Sequence, residues 1–115
     1  MLTTDATTQF FQELAARGHE PALEKVTGTL RFDLTGGQRT SRWLITISKG
    51  DVDVSRRNAK ADCVVRGDRR LFDGIASGEV NAMVAFLRGA LEFEGNRWLM
   101  LPFQKLFPGP PRTGS

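Results

Sequence analysis

Runs of alternating apolar and polar residues between Thr29 and Glu94 constrain the fold more than any other feature of this 115-residue chain. In TLRFDL, Leu30, Phe32 and Leu34 fall on one side and Thr29, Arg31 and Asp33 on the other. Successive side chains of a strand project to opposite faces, so the run predicts a strand with one face in a core and one in water. Gly36-Gly37 turns the chain. Arg39 to Lys49 then sets Trp43, Ile45 and Ile47 against Arg42, Leu44, Thr46 and Ser48. Gly50-Asp51 turns it again, before a third strand marked by Val52 and Val54. Turn-separated strands of this kind predict an antiparallel meander. A fourth strand, ADCVVR, opposes Ala61, Cys63 and Val65 to Asp62, Val64 and Arg66, and a fifth opposes Leu91 and Phe93 to Glu92 and Glu94.

Every strand offers one apolar face, which places the helices together over a single side of the sheet, an α+β arrangement. Thr3 or Asp5 caps a first helix that runs to about Arg17 with Phe10, Phe11 and Leu14 as its buried stripe, and Gly18 stops it. A short helical turn is expected around Ala22 to Lys25. Asp68 caps a second helix through Ser77, apolar at Leu71, Phe72 and Ile75. Gly78 ends it, Asn81 caps a third helix from Ala82 to Arg88, and Gly89 ends that one. Met83, Val84, Ala85, Phe86 and Leu87 leave this third helix almost no polar face. A helix apolar all round is either buried on every side or faces an apolar space, and this one is far too short to span a membrane. Periodicity leaves core plug and pocket wall equally open.

Asn96 caps a last helix, RWLMLPFQKLF, with seven large apolar residues in eleven. Pro102 has no N–H for the carbonyl of Trp98, so the helix is expected to kink or split there, and Pro108 ends it. The final GPPRTGS is rich in proline and glycine and is expected to be disordered. The domain is thus expected over residues 1–107, with a tail at 108–115.

Composition narrows the function. One cysteine, Cys63, excludes an internal disulfide and a multi-cysteine metal site, and its strand position suits a small buried hydrophobe. His19, the one histidine, stands beside no serine or cysteine motif and reads as a surface loop residue. No tyrosine is present, and no catalytic motif, phosphate loop or metal-ligand set is found, so neither enzyme activity nor a cofactor is expected. The carboxylate pairs Asp51/Asp53 and Glu92/Glu94 read as outward-facing solubilising groups. Net charge is +3, with the densest cations at Arg56, Arg57, Lys60, Arg66, Arg69 and Arg70. They carry no nucleic-acid motif and read as solvated surface, with at most transient membrane contact. MLTTDATTQFF holds no basic region followed by an apolar run, so no signal peptide is expected and a cytoplasmic location is.

The order of these elements resembles the sterol carrier protein 2 (SCP-2) domain family. The residues that carry the likeness are FDLTGG at 32–37, RWLITISKGDVDV at 42–54 and ADCVVRGDRRLFDGIASGEVNAMVAFLRGALEFEGN at 61–96. Within the last of these stand Ala61-Asp62, Ser77-Gly78, Phe86 to Gly89 and Gly95-Asn96, the ordered set that marks the family. The resemblance spans roughly residues 25–107. It implies a five-stranded, mostly antiparallel sheet with helices on one face. It also implies an apolar tunnel for a sterol, fatty acid, acyl-CoA or phospholipid between the sheet and the C-terminal helices. The expected ligand-binding residues are Phe32, Trp43, Ile45 and Val65 as floor, with Phe72, Ile75, Met83, Phe86, Leu87, Leu99, Met100 and Phe103 around them. The chain departs from the family at Pro102, where the last helix normally continues, and it ends Thr113-Gly114-Ser115 rather than in a peroxisomal signal. The alternative reading is a non-catalytic interaction or homodimerisation module with a filled core, accessory to an enzyme partner.

Overall fold

The computed structural model describes residues 5–108. The alternating runs form β1 (Thr27–Gly36), β2 (Arg39–Ser48), β3 (Asp51–Ser55), β4 (Cys63–Asp68) and β5 (Leu91–Gly95). They make one sheet in the order β3-β2-β1-β4-β5. The first three strands are the expected meander, with Phe32 opposite Trp43 and Ile45 opposite Val54. β4 does not extend it. It crosses to the far side of β1 and pairs there in parallel, Phe32 opposite Val65, while β5 returns antiparallel to β4. A parallel neighbour needs a crossover, and here residues 56–62 supply it, fixed where the Arg31 guanidinium donates to the Ala59 carbonyl at 3.0 Å. Leu44 and Val64, which alternation assigns to the wet face, flank Arg31 across the sheet and are buried. Beside them the buried Asp33 carboxylate accepts two hydrogen bonds from Arg31, each 3.0 Å.

The other face carries the helices. α1 (Ala6–Arg17) starts where the Asp5 carboxylate accepts the Thr8 N–H at 2.7 Å, and it ends at Gly18 with φ 69°. Asp5 also pairs with Arg69. α2 (Arg69–Ser77) is capped by Asp68 and stopped by Gly78. The Thr7 hydroxyl donates to Asp73 at 2.6 Å and ties the two helices together. Their aromatic stripe fills the space over the sheet centre. The Phe11 ring lies 4.8 Å from Trp43, 5.2 Å from Phe32 and 5.8 Å from Phe72 between centroids. Phe103, from the C-terminal segment, reaches the same cluster 5.5 Å from Phe32.

That C-terminal segment is not one kinked helix. It is a 3₁₀ turn at Arg97–Leu99, the single-turn α4 (Met100–Phe103, numbered after α3 at Ala82–Leu87) and a second 3₁₀ turn at Gln104–Leu106. Pro102 cannot donate back to Trp98, and the helix breaks into short pieces on both sides of it. The tail expected at 108–115 lies outside the described residues from position 109 onward. Among the described residues no helix is long and apolar enough to cross a membrane.

His19 closes the α1–β1 link by an isolated bridge to Asp51, with Nδ1 2.9 Å from the Asp51 carboxylate. That hydrogen bond raises the imidazole pKa above its ordinary 6.5. A group with a raised folded-state pKa contributes stability that is fully present below the unfolded value and lost as pH rises through the folded one. In an NMR titration His19 is expected to titrate above an unstructured histidine, and Asp51→Asn to return it toward the ordinary value. An unchanged midpoint in Asp51→Asn would show that the carboxylate does not set it.

Candidate functional site

The most apolar concavity lies at the β5 edge of the sheet, away from α1 and α2. One wall is α3, which begins where the Asn81 carboxamide accepts the Val84 N–H at 3.1 Å. Gly89, with φ 76°, then turns the chain into β5. Phe86 of α3 stacks on Phe93 of β5, with centroids 4.5 Å apart and planes 6° apart, and this pair forms the back of the groove with Ala82 and Met83. The opposite wall comes from Arg97, Trp98, Met100, Leu101 and Gln104. Two contacts set its position. Asn96 N–H donates to the Asp62 carbonyl at 2.7 Å. Leu99 packs so closely over Gly28 of β1 that a Cβ there would meet its methyl at 3.0 Å. The resulting cavity is about 260 Å³ and partly open.

Two other clefts are larger, near 570 and 490 Å³. One, between α1 and the C-terminal segment, is lined by Glu13, Arg17 and Lys105 among others, and the second, on the outward sheet face, by Asp33, Arg42, Arg66, Asp68 and Glu92. Charges of both signs line each of them, and water solvates such surfaces well. Of these three, the β5 groove offers a nearly uniform apolar wall, with Arg97 and Gln104 as its polar groups.

Of the residues expected at a binding site, the structure brings Met83, Phe86 and Met100 together around this groove. Leu87 is 74% exposed on the solvent side of α3. Leu99 lies beneath the wall, against β1. Phe32, Trp43, Ile45, Val65, Phe72, Ile75 and Phe103 are buried in the main core. The expected floor is therefore packed under α1, because Phe11 occupies the space above Phe32 and Trp43. Phe93, Arg97 and Gln104 belong to the groove but not to the expected set. Phe93 was readable as an inward strand residue, and Arg97 as the cation that opens an apolar run.

Cys63 is fully buried, and burial pushes its thiol pKa up, against a smaller opposing effect of the Arg97 charge. Burial therefore favours the protonated thiol over the thiolate, which is the nucleophilic form. One carboxylate of each pair is engaged, Asp51 with His19 and Glu94 with Arg66.

Residues 8–108 match the family model described as the SCP-2 sterol transfer family. A curated relative, hydroxysteroid dehydrogenase-like protein 2 of Xenopus tropicalis, is 26% identical over 98 residues, 84% of this chain and 23% of that protein. The chain thus spans about a quarter of the length of that relative. Sterol carrier protein 2 of Yarrowia lipolytica in its apo form superposes with a TM-score of 0.72 at 19% identity, over 92% of each chain. Palmitated SCP2L2 of Aedes aegypti gives 0.73 at 14% identity, over 91% of this chain and 94% of that one.

Proposed function

The chain belongs to the SCP-2 sterol transfer family, and on that premise we propose that its β5-edge groove binds the acyl chain of a lipid and shields it from water during transfer. The observation that carries the reading is the groove lining, apolar throughout except for Arg97 and Gln104. A volume of about 260 Å³ sits just under the roughly 300–1,000 Å³ of sites for rigid drug-sized ligands. A narrow space of that size favours one flexible chain over a four-ring sterol. Met83 and Met100 add side chains that adapt to different chain lengths. Arg97 offers a partner for a carboxylate or phosphate head. The palmitated Aedes aegypti protein, which shares the fold, supports an acyl ligand.

Burial of about six methylenes contributes about 5 kcal/mol, and a charged hydrogen bond to Arg97 about 2 kcal/mol. Together they set a ceiling near a ten-micromolar dissociation constant on the order-of-magnitude scale. Titration with a fluorescent fatty acid is expected to saturate in that range. Met83→Trp, which fills the groove, is expected to weaken binding by at least about tenfold with the melting curve unchanged. Arg97→Gln is expected to weaken the free acid by about tenfold and leave its methyl ester unaffected. Wild-type affinity in Met83→Trp would place the ligand elsewhere.

Binding rather than catalysis is the proposed role, supported by the apolar lining of the groove and the buried, protonated Cys63. The match to a quarter of a dehydrogenase-like protein favours a companion role, in which the domain presents its lipid to an enzyme.

A further inference from the structure

Four residues of the C-terminal wall of the β5-edge groove, Arg97, Met100, Leu101 and Gln104, follow at i, i+3, i+4 and i+7. That spacing sets them in one stripe down two turns of the segment. An inward stripe is ordinarily apolar from end to end. This one is apolar in the middle and polar at both ends. Arg97 opens the first 3₁₀ turn, Gln104 opens the second, and α4 lies between them. A rise per residue of 1.5 Å in an α-helix and 2.0 Å in a 3₁₀ helix puts the two about 10–14 Å apart along the wall. Among the described residues the hydrogen bonds of this wall run through its backbone and the Asn96 carboxamide, as where the Phe107 N–H donates to the Gln104 carbonyl at 3.1 Å. Neither the Arg97 guanidinium nor the half-buried Gln104 carboxamide takes part in them. Arg97 is also the one cation among the described residues that line the groove.

We propose that the groove takes a medium-chain ω-hydroxy acid, with its carboxylate on Arg97 and its terminal hydroxyl on Gln104. The inference rests on the acyl-binding reading of the groove and names the chain that fits it. Length bears on it first. An extended chain advances about 1.2 Å per bond, a third of the span of a peptide residue with its three backbone bonds. Oxygens about nine to twelve bonds apart therefore match the wall, and these are the ends of a chain of about eight to eleven carbons. The small volume of the cavity, about 260 Å³, favours the short end of that range. The chemistry of the second head follows from Gln104. A carboxamide offers N–H donors and a carbonyl acceptor, and a hydroxyl is both donor and acceptor, so the two match. A second carboxylate would lose its hydration at an end of the groove that no lining cation serves. A methyl end would leave the carboxamide against hydrocarbon, where a polar group without a partner is costly.

The test is calorimetric titration of the full chain with octanoic acid, its ω-hydroxy derivative and octanedioic acid, beside titration with a fluorescent fatty acid. A hydroxyl makes the chain less hydrophobic, so one without a partner weakens binding to an apolar groove. Here the hydroxy acid is expected to bind about fivefold more tightly than octanoic acid, and octanedioic acid no more tightly than octanoic acid. Gln104→Leu and Gln104→Met, two apolar replacements of similar size, are each expected to reverse the preference, octanoic acid then binding about threefold the tighter. Retained octanoic acid affinity in these variants shows that the groove is intact. Arg97→Gln is expected to weaken both monoacids alike, by about tenfold, and to keep the preference for the hydroxyl. Hydroxy acids of about six and about fourteen carbons are expected to lose it, because their oxygen falls short of Gln104 or passes it. Wild-type protein that binds octanoic acid as tightly as the hydroxy acid would overturn the assignment and leave the acyl reading standing. A preference that survives both Gln104 substitutions, or that is indifferent to chain length, would overturn it too. Binding of the fluorescent fatty acid with none of the three acids bound would sink the medium-chain ligand alone. Absence of all binding would overturn the groove reading with it.

Discussion

Phe11→Ala is expected to destabilise the domain by about 4 kcal/mol and to lower its melting temperature by about 20 °C. Phe11 is fully buried where α1, α2 and the sheet converge. Its ring touches Trp43 of β2, Phe32 of β1 and Phe72 of α2. Removal leaves a cavity bordered by stiff aromatic rings, and such surroundings collapse little into the space. Leu14, Phe10, the Asp5–Arg69 pair and the Thr7–Asp73 hydrogen bonds at 2.6 and 3.1 Å still hold α1. Leu87→Ala is the matched control. Leu87 is 74% exposed, and its loss is expected to stay within about 0.5 kcal/mol. Urea denaturation followed by circular dichroism separates the two. A Phe11→Ala variant as stable as Leu87→Ala would mean that the aromatic cluster does not anchor the N-terminal helix.

The same cluster explains which parts of the molecule were legible in the sequence. Strand alternation is a local pattern, so the inward faces of β1 and β2 and the caps at Asp68, Asn81 and Asn96 could be read directly. Strand order is not local. Nothing in ADCVVR distinguishes an edge partner for β3 from a parallel partner for β1, and the outcome depends on a crossover held by long-range hydrogen bonds, Arg31 to the Ala59 carbonyl, Arg56 to the Arg42 carbonyl and Thr29 with Asp62. Leu44 and Val64 were misplaced on a wet face for the same reason. The groove was partly legible. Met83, Phe86 and Met100 stood out because short apolar helices need an apolar neighbour. Phe32, Trp43, Ile45 and Val65 are as apolar as any groove residue, and hydrophobicity alone cannot separate a ligand-facing wall from a packed one. The position of Phe11 separates them, and that is a tertiary fact. Phe93 faces the groove because β5 lies at the sheet edge, beyond the cover of α1 and α2.

Gly95→Ala is expected to cost about 3 kcal/mol and to weaken fatty acid binding by about tenfold, although Gly95 does not line the groove. Gly95 has φ +89°, and a Cβ built on it would stand 2.3 Å from the Asp62 carbonyl oxygen. That obstacle is backbone, not a side-chain tip that can swing away. Relief therefore requires β5 and Asp62 to separate, and the same carbonyl accepts the Asn96 N–H at 2.7 Å. Breaking this bond frees the start of the wall that carries Arg97, Trp98, Met100 and Leu101. A wall displaced enough to uncover about two methylenes of the ligand loses about 1.6 kcal/mol, which is the tenfold expected. Gly89→Ala isolates the cause. Gly89 has a similar φ of +76°, but nothing lies within 4 Å of the Cβ position. It should show the left-handed backbone penalty alone, about 1 kcal/mol, and leave affinity unchanged. Equal losses of stability in the two variants, measured by urea denaturation, would reduce the Gly95 effect to backbone strain. A difference of about 2 kcal/mol that appears together with the drop in fatty acid affinity would show that the Asp62–Asn96 junction positions the groove wall.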